Sequence, residues 1–349
     1  MNRKKIAAEL ERMELSKGLL VLGTEEFLTQ GVGPGRLALR RLRRNYTALV
    51  FGGLFLLIVL LCLLAPLYAS DVAHTGPNAE HITEVLNIGG RHRDVVSIIG
   101  VPIGPTWHGR FFLGADPQGR DLAVRLLYGG RTSLEIGAMA TAITMLLGIA
   151  FGVVGGYYRG WVDAVICRLL DIIWAYPALL LAVAIGVSLA LGGVSLGPIH
   201  LQSGSIYIPA LIIGTVYAPY VARPIRGEVL LLREREFVDA ARALGFSNLR
   251  IMATEILPNL TSTIVVFFAL QLAQSIILEA SLSFLGAGVQ PPAASWGTLL
   301  SSGSQLFEVD PLLTLAPAIM LVLACLSVNI FGDGVRAALD PRAQIRIGR

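Results

Sequence analysis

Long apolar runs without charged residues alternate with polar segments along the 349 residues of the chain. A helix needs about 20 apolar residues to cross a bilayer. The stretch from 172 to 222 contains no Lys, Arg, Asp or Glu and is interrupted by glycines and by Pro198, which predicts two spans joined by a turn. Four single runs of spanning length cover 47–68, 136–158, 256–278 and 311–332. The pattern therefore predicts an all-α membrane protein with six transmembrane helices.

The cations are distributed unevenly among the segments that join these runs. Of 28 Lys and Arg residues, 22 lie before the first run, between runs two and three, between runs four and five, or after run six. The segments 192–206 and 284–310 contain none. Because Lys and Arg concentrate in cytoplasmic loops, we expect both termini to be cytoplasmic. The basic cluster RLALRRLRRN at 36–45 indicates an anchor on the surface of membrane lipid, and nucleic acid is not an expected partner.

The composition and motifs exclude several classes of protein. Only 15% of the residues are charged, against about a quarter in soluble domains. The lysine-containing phosphate loop of ATPases is absent, because Lys4, Lys5 and Lys17 all lack its glycine context. The segment GVSLG around Ser195 matches a serine-nucleophile pattern, but a predicted membrane helix precedes it and Pro198 follows, so we interpret it as a helix-to-helix turn. No catalytic residue, metal site or bound cofactor is expected.

Ionisable and amide side chains within the predicted spans are candidates for the transport pathway. A charge at mid-bilayer costs about 2.5–3.5 kcal/mol even on lenient scales, so such residues tend to be functional. Glu279 lies near the outer end of the fifth span, where we expect it to reach water, and Gln271 and Gln274 precede it on the same helix. Asp171, at the inner end of the third span, is expected to pair with Arg168 one turn away.

Glycines at strict four-residue spacing form a smooth strip on the second span. They are Gly148, Gly152, Gly156 and Gly160. Small residues in this pattern allow close helix packing in lipid. The strip indicates either an interface with another subunit or repeat, or packing within the chain, and the pattern leaves both interpretations open.

Three segments outside the spans have their own helical signals. A short helix is expected over 6–15. Between 122 and 127 apolar residues alternate with charged ones, which predicts an amphipathic helix lying on the membrane before the second span. The uncharged, Pro- and Gly-rich loop after the fifth span predicts a re-entrant or interfacial segment, in which Ser295 caps a short helix from Trp296 to about Ser301.

The cytoplasmic loop over 223–255 carries eleven charged residues but also has helical periodicity. Phe237, Ala240, Ala241 and Leu244 are spaced i, i+3, i+4, i+7, which predicts an apolar stripe on one helix face. Such a helix is suited to a groove on a partner, or equally to the surface of its own membrane. Periodicity alone does not separate the two.

Turn and cap residues divide this loop into two helices. Gly245 is expected to end the first helix. Ser247 is expected to cap a second helix, which must end before Pro258.

The stretch FVDAARALGFSNLRIMATEILPN, residues 237–259, resembles the cytoplasmic loop of ABC importer permeases. The family pattern is E-A-A, three residues, glycine, and a distal I-x-L-P. Its positions are occupied here by Asp239, Ala240, Ala241, Gly245, Ile256, Leu257 and Pro258. Asp239 replaces the usual glutamate, Glu255 stands where many members have histidine, and Ala115 stands where threonine is common.

Three longer phrases are similar to the C-type permease subunit of dipeptide, oligopeptide and nickel importers. They are LGADPQGRDLAVRLLYGGRTSL at 113–134, ASLSFLGAGVQPPAASWG at 280–297 and NIFGDGVRAALDPR at 329–342. The resemblance covers about residues 36–69 and 106–349. It implies the type I ABC importer permease fold in the cytoplasmic membrane, and a transport subunit that is not an enzyme. The domains expected are a cytoplasmic segment 1–46, a first helix 47–68, an extracytoplasmic loop 69–131, a five-helix core 132–333 with a coupling loop at 223–259, and a cytoplasmic tail 334–349.

The resemblance also implies partners and roles. A homologous B-type permease subunit, two ATPase subunits and an extracytoplasmic substrate-binding protein are expected, with ATP and Mg used by the ATPases. The implied ATPase-coupling residues are Phe237, Asp239, Ala240, Ala241, Leu244, Gly245 and Pro258. Di- or oligopeptides are the expected substrates, with nickel complexes, glutathione or sugars as alternatives. A secondary transporter that works alone is the alternative class, and it predicts ionisable groups in mid-span and no docking helix.

Overall fold

The computed structural model describes residues 34–88, 90–192, 194–196, 199–201 and 204–339, and these are mainly helical. The helices are α1 (Pro34–Leu42), α2 (Tyr46–Leu63), α3 (Ala65–Asp71), α4 (Leu122–Tyr158), α5 (Gly160–Trp174), α6 (Ala178–Gly192), α7 (Tyr207–Leu232), α8 (Glu236–Ala243), α9 (Asn248–Ile251), a π-helix (Met252–Ile256), α10 (Leu257–Asn259), α11 (Thr261–Phe284), α12 (Trp296–Ser304) and α13 (Leu312–Leu339). The strands β1 (Val85–Ile88) and β2 (Arg91–Asp94), and β3 (Val194–Leu196) and β4 (Ile199–Leu201), form two antiparallel hairpins. The helix expected over 6–15 lies outside the described residues.

Within the described residues, five helices are long and apolar enough to cross a membrane: α2, α4, α7, α11 and α13. The pair α5 and α6 qualifies as a sixth span if its two parts are taken together, and it is bent by 82°. The break falls just before Pro177, which has no N–H to donate and disfavours helical backbone at the preceding residue. The chain is therefore a mostly helical membrane protein with five or six candidate spans, and the third predicted span, beginning at 172, is not one straight helix.

The glycine strip of α4 packs against α7 of the same chain. Gly148, Gly152 and Gly156 face Val221, Ala222 and Val229, respectively. A Cβ atom built on Gly152 would lie 2.8 Å from the carbonyl oxygen of Ala222, so only glycine permits this approach. Of the two interpretations of the strip, the structure favours packing within the chain. Gly160 lies outside the strip and begins α5 with φ +58°.

The segment expected to lie on the membrane forms the first turns of α4 instead. Asp121 caps this helix by accepting a hydrogen bond from Val124 N–H at 3.0 Å. Leu122, Val124 and Leu126 are buried, and the Leu126 carbonyl accepts a hydrogen bond from the Trp296 indole at 3.2 Å. The prediction of a surface helix is wrong because Leu122 and Leu126 pack with α2, α11, α12 and α13, while Val124 packs against Ala69 of α3.

Three other predicted features differ in the structure: the end of the fourth span, the position of the fifth span, and the connection around Ser195. The fourth span, α7, continues ten residues past Ala222 through Pro224, because basic residues at its end find partners on α5. The fifth span is displaced, since α11 starts at Thr261 and ends at Phe284. The segment around Ser195 is a β-hairpin between α6 and α7 and not a simple turn, with Ser195 inside β3.

The segment between α3 and α4 forms a small module with its own apolar core. That core consists of Val95, Ile103, Phe111 and Ala115. Arg125 of α4 joins the module to the membrane helices, because its Nη1 donates to the Pro77 carbonyl at 2.9 Å and its Nε lies 3.3 Å from Asp116 Oδ2. Both the Arg125 and the Asp116 side chains are buried, so the loss of either one would leave an uncompensated buried charge.

Candidate coupling site

The helix α8 is anchored on its own chain by one side. Val238 and Ala241 are buried in an apolar cluster that draws on five other parts of the chain. The cluster contains Met145, Val153 and Tyr157 of α4, Val221, Ile225 and Val229 of α7, Ile251 of α9, Met252 and Ile256 of the π-helix, and Leu260. Because the cluster joins α8 to α4, α7 and the start of α11, α8 cannot shift without displacing these helices.

A neighbouring face of α8 is apolar and exposed. Phe237, Ala240 and Leu244 lie on this face, and Leu244 keeps 75% of its surface accessible. The predicted four-residue stripe is therefore divided, since Ala241 belongs to the inner side with Val238. An apolar stripe that remains exposed after the chain has packed its own core is suited to a groove on another protein.

The end of α8 is shaped by a left-handed glycine. Gly245 has φ +78°, a backbone conformation that other residues adopt only with strain. Its N–H donates to the Arg242 carbonyl at 2.9 Å, and the N–H of Phe246 donates to the Ala241 carbonyl at 3.1 Å. This pair of hydrogen bonds is the Schellman motif that terminates helices. The prediction that Gly245 ends the first helix is confirmed.

The second helix of the loop continues through Pro258. Ser247 caps α9, accepting from Arg250 N–H at 3.4 Å, as predicted. The chain then passes through the π-helix into α10, where Pro258 occupies the first turn. The prediction that the helix ends before Pro258 is wrong, because proline is tolerated in a first turn and the wider π-turn leaves room for its ring. Pro258 is exposed.

Tyr157 joins the end of α4 to the coupling loop at two points. Tyr157, near the end of α4, donates its hydroxyl to Asn248 Oδ1 at 2.9 Å, and its carbonyl accepts from Arg233 Nη1. Desolvation, reinforced by the guanidinium groups of Arg159 and Arg242, holds the pKa of Arg233 below its ordinary value. These contacts join residues 76 and 91 positions apart, so no local sequence signal could have indicated them.

Two ion pairs join α5 to α7 next to the coupling loop. Arg226 binds both carboxylate oxygens of Asp163 at 2.5 Å. Arg223 bonds Asp171 at 2.6 Å and stacks over the ring of Trp174 at 3.6 Å. The predicted pairing of Asp171 with a cation on its own helix is wrong, because α7 crosses α5 here and brings Arg223 closer.

The three pathway candidates lie on two different sides of α11. Gln271 and Glu279 are buried within the chain, and Glu279 has no accessible surface. Gln274 is exposed on the other side of the helix. The expectation that Glu279 reaches water is wrong, because the segment after α11 folds back over it. A role of these residues in the pathway remains a prediction.

The folded-back segment contains the predicted short helix. Ser295 caps α12, accepting from Thr298 N–H at 3.2 Å, while Thr298 Oγ1 accepts from Ser295 N–H at 2.8 Å. This reciprocal capping box confirms the predicted cap. The helix ends at Ser304, three residues beyond the expected end.

Comparison with known proteins gives two family matches. Residues 148–345 match the model described as "Binding-protein-dependent transport system inner membrane component". Residues 33–82 match the "N-terminal TM domain of oligopeptide transport permease C". The first match contains all of the coupling loop, and the second contains α2 and α3.

Curated relatives are similar over most of their length. A dipeptide transport system permease protein, DppC, of Alkalihalophilus pseudofirmus is 35% identical over 321 residues, covering 89% of this chain and 91% of the relative. A glutathione transport system permease protein, GsiD, of Pectobacterium atrosepticum is 37% identical over 231 residues, covering 66% of this chain and 72% of the relative. Among solved structures, the MetNI methionine ABC transporter in inward-facing conformations aligns with a TM-score of 0.49 and 18% identity, over 62% of this chain and 96% of that chain.

Proposed function

We propose that this chain is one of two related permease subunits that together enclose the pathway of an ABC importer. The chain belongs to the family of binding-protein-dependent inner-membrane transport components. It is a multi-pass inner-membrane permease component and not itself catalytic. Members of such systems work with an ATPase and a substrate-binding protein. The observation that carries the proposal is α8, which is fixed to the membrane helices by one side and leaves its other side free for a partner.

In the proposed topology the chain crosses the membrane six times, with α5 and α6 forming one bent span. The coupling loop over 223–259 lies in the cytoplasm with both termini, as the distribution of cations favours. The module between α3 and α4 and the segment 285–311 then lie on the outer side. The proposed domains are 1–46, 47–68, 69–131, 132–333 and 334–349, in the type I importer permease fold.

In the proposed coupling step, α8 docks in a cleft of an ATPase subunit. Phe237, Ala240 and Leu244 would enter the cleft, while Asp239 and its 2.9 Å partner Arg242 would make polar contacts at the rim. Two ATPase subunits would bind ATP with Mg, approach each other and carry the paired coupling helices with them. Because the inner side of α8 packs on α4, α7 and the start of α11, this motion would pass directly to the spans.

The proposed partners of the chain are therefore a homologous B-type permease, two ATPases and an extracytoplasmic binding protein. Di- or oligopeptides are the proposed substrates, supported by the dipeptide permease relative that matches 89% of this chain. Glutathione is the second candidate, supported by the relative with 37% identity over a shorter stretch. Glutathione is itself a tripeptide, so both candidates present carboxylates, an ammonium group and amides. Nickel complexes and sugars have less support.

The test is affinity purification of the tagged chain from its native membrane, followed by reconstitution. We expect a second permease and one or two ATPases to co-purify. The complex in liposomes, given binding protein, should accumulate labelled dipeptide or glutathione only when ATP is supplied. A chain that purifies alone and still moves solute without ATP would contradict the proposal and favour a secondary transporter.

A further inference from the structure

One side of α11 carries a line of buried polar side chains. Gln271, Ser275, Glu279 and Ser283 repeat every four residues, and all four are buried within the chain. Residues at this spacing share one helix face. Polar side chains within an apolar membrane helix cost free energy, and residues that are kept there in spite of this cost tend to be functional. Glu279 is the only ionisable member of the line, and its surroundings show what it contacts.

Three serine hydroxyls surround the Glu279 carboxyl group. Ser283 Oγ donates to Glu279 Oε1 at 2.7 Å. Ser133 of α4 and Ser295, just before α12, lie next to the same carboxyl group. The second carboxyl oxygen, Oε2, has no hydrogen-bond partner among the described residues. The hydrogen bond from Ser283 is therefore the direct link between this carboxyl group and its surroundings.

Each of these hydroxyls also accepts a backbone N–H from the segment that follows α11. The N–H of Val289 donates to Ser283 Oγ at 3.0 Å, that of Trp296 to Ser133 Oγ at 3.1 Å, and that of Thr298 to Ser295 Oγ at 3.2 Å. A hydroxyl has a single proton to donate. Because its acceptor capacity serves a backbone amide, each serine has its proton available for Glu279. Glu279 thus holds the Val289 amide through Ser283, and it lies beside the two hydroxyls that hold the Trp296 and Thr298 amides.

The segment, residues 285–304, is seated closely on α11 and α4. A Cβ on Gly297 would lie 2.3 Å from the Ala280 carbonyl oxygen, and one on Gly288 would lie 2.4 Å from Ser283 Oγ. Backbone this close to a helix moves with that helix unless its hydrogen bonds break. The tip of the segment, at Pro291 and Pro292, is exposed.

The other end of α11 begins in the coupling loop. Only Leu260, which is buried in the apolar cluster with Val238 and Ala241 of α8, separates α10 from α11. Glu279 lies 18 residues after Thr261, which corresponds to about 27 Å along a helix. One continuous helix therefore connects the base of the coupling helix to the carboxyl group that holds the outer segment.

We propose that Glu279 is a positioning residue for transport: it attaches the outer segment 285–304 to α11, so that this segment follows the helix when the coupling loop moves and acts as the outer gate of the pathway. The proposal rests on the importer function proposed above. It gives Glu279 a role inside the protein, in place of direct contact with water or substrate.

The decisive variant is Glu279→Gln, which keeps the size of the side chain and creates no cavity. The glutamine amide keeps one acceptor oxygen and replaces the other with an NH2 group, which cannot accept a hydrogen bond from a serine hydroxyl. In the assembled transporter in nanodiscs, we expect amide hydrogen exchange at Val289, Trp296 and Thr298 to accelerate by about tenfold. Exchange in the coupling loop should stay unchanged. Gln274→Ala, on the exposed side of the same helix, is the matched control and should leave exchange unchanged.

Transport measurements separate positioning from simple stability. In E279Q we expect the maximal rate of ATP-driven uptake to fall by about tenfold, while basal ATPase activity and the KM for loaded binding protein change by less than about twofold. Wild-type uptake together with wild-type exchange in E279Q would overturn the proposal. If E279Q does not assemble, Ser283→Ala removes only the link from Glu279 to the Val289 amide. Amide hydrogen exchange at Val289 should accelerate in S283A, and an unchanged rate there would equally overturn the proposal.

The two proposals can fail separately. If the wild-type complex shows no ATP-driven uptake of any substrate tested, the proposed function is wrong. The exchange measurement still tests the attachment of the segment to Glu279, because it does not depend on transport.

Discussion

Truncation of Leu244 to alanine tests the docking surface most directly. Three quarters of this side chain is exposed in the isolated chain, so its removal leaves the apolar cluster beneath α8 intact. Complete burial of a leucine side chain contributes about 1.5–3 kcal/mol. Burial of the exposed 75% in a partner cleft would therefore contribute about 1–2 kcal/mol. The dissociation constant for the ATPase should rise by about 5- to 30-fold in L244A.

The assay is titration of the nanodisc-embedded permease pair with purified ATPase subunits, followed by biolayer interferometry. The matched control is Leu231→Ala, because Leu231 is 69% exposed at the end of α7 and lies outside α8. L231A should bind within about twofold of the wild type, and both variants should keep the wild-type thermal midpoint. Wild-type affinity in L244A would refute docking through this face of α8.

Three further substitutions test other parts of the structure. Gly152→Ala places a Cβ 2.8 Å from a carbonyl oxygen of α7 and should lower the free energy of unfolding by about 1–3 kcal/mol. The loss should be measured as a lower thermal midpoint. An unchanged midpoint would contradict the close packing of α4 on α7. Gly245→Ala forces a Cβ into left-handed backbone at a cost of about 1–2 kcal/mol and should reduce ATPase stimulation by the binding protein, whereas Gly245→Asn should retain more of it. Ser295→Ala removes the cap of α12, which contributes about 1 kcal/mol, and should accelerate amide hydrogen exchange in the first turn of that helix. Ser302→Ala, later in the same helix, is the control. Equal acceleration in the two variants would argue against the cap.

The features that could be predicted from sequence depend on neighbours within a few positions. Gly245 ends α8, Ser247 caps α9 and Ser295 caps α12, each through hydrogen bonds between residues at most five positions apart. Such contacts form in almost any fold that contains the local sequence. The apolar runs belong to the same class, because the need to cross a bilayer sets their length whatever they pack against.

Several of the wrong predictions came from contacts between distant parts of the chain. Asp171 pairs with a residue 52 positions away, and the Ser133 hydroxyl binds an amide 163 positions away. Ala241 turns inward because Val238 shares its side and α4 and α7 cover both. Periodicity identifies an apolar stripe, but it does not tell which part of the stripe the rest of the chain will cover.

Sequence alone indicates a helical membrane protein whose loop over 223–259 contains two short helices, because bilayer thickness, helix caps and glycine stops act locally. Only the packing of the helices fixes which face of α8 stays exposed, that the glycine strip of α4 contacts α7, and that Glu279 is buried against Ser283. These outcomes depend on how helices approach each other in space. A helix approaching at a different angle would leave the same residues exposed, unpaired or differently bonded.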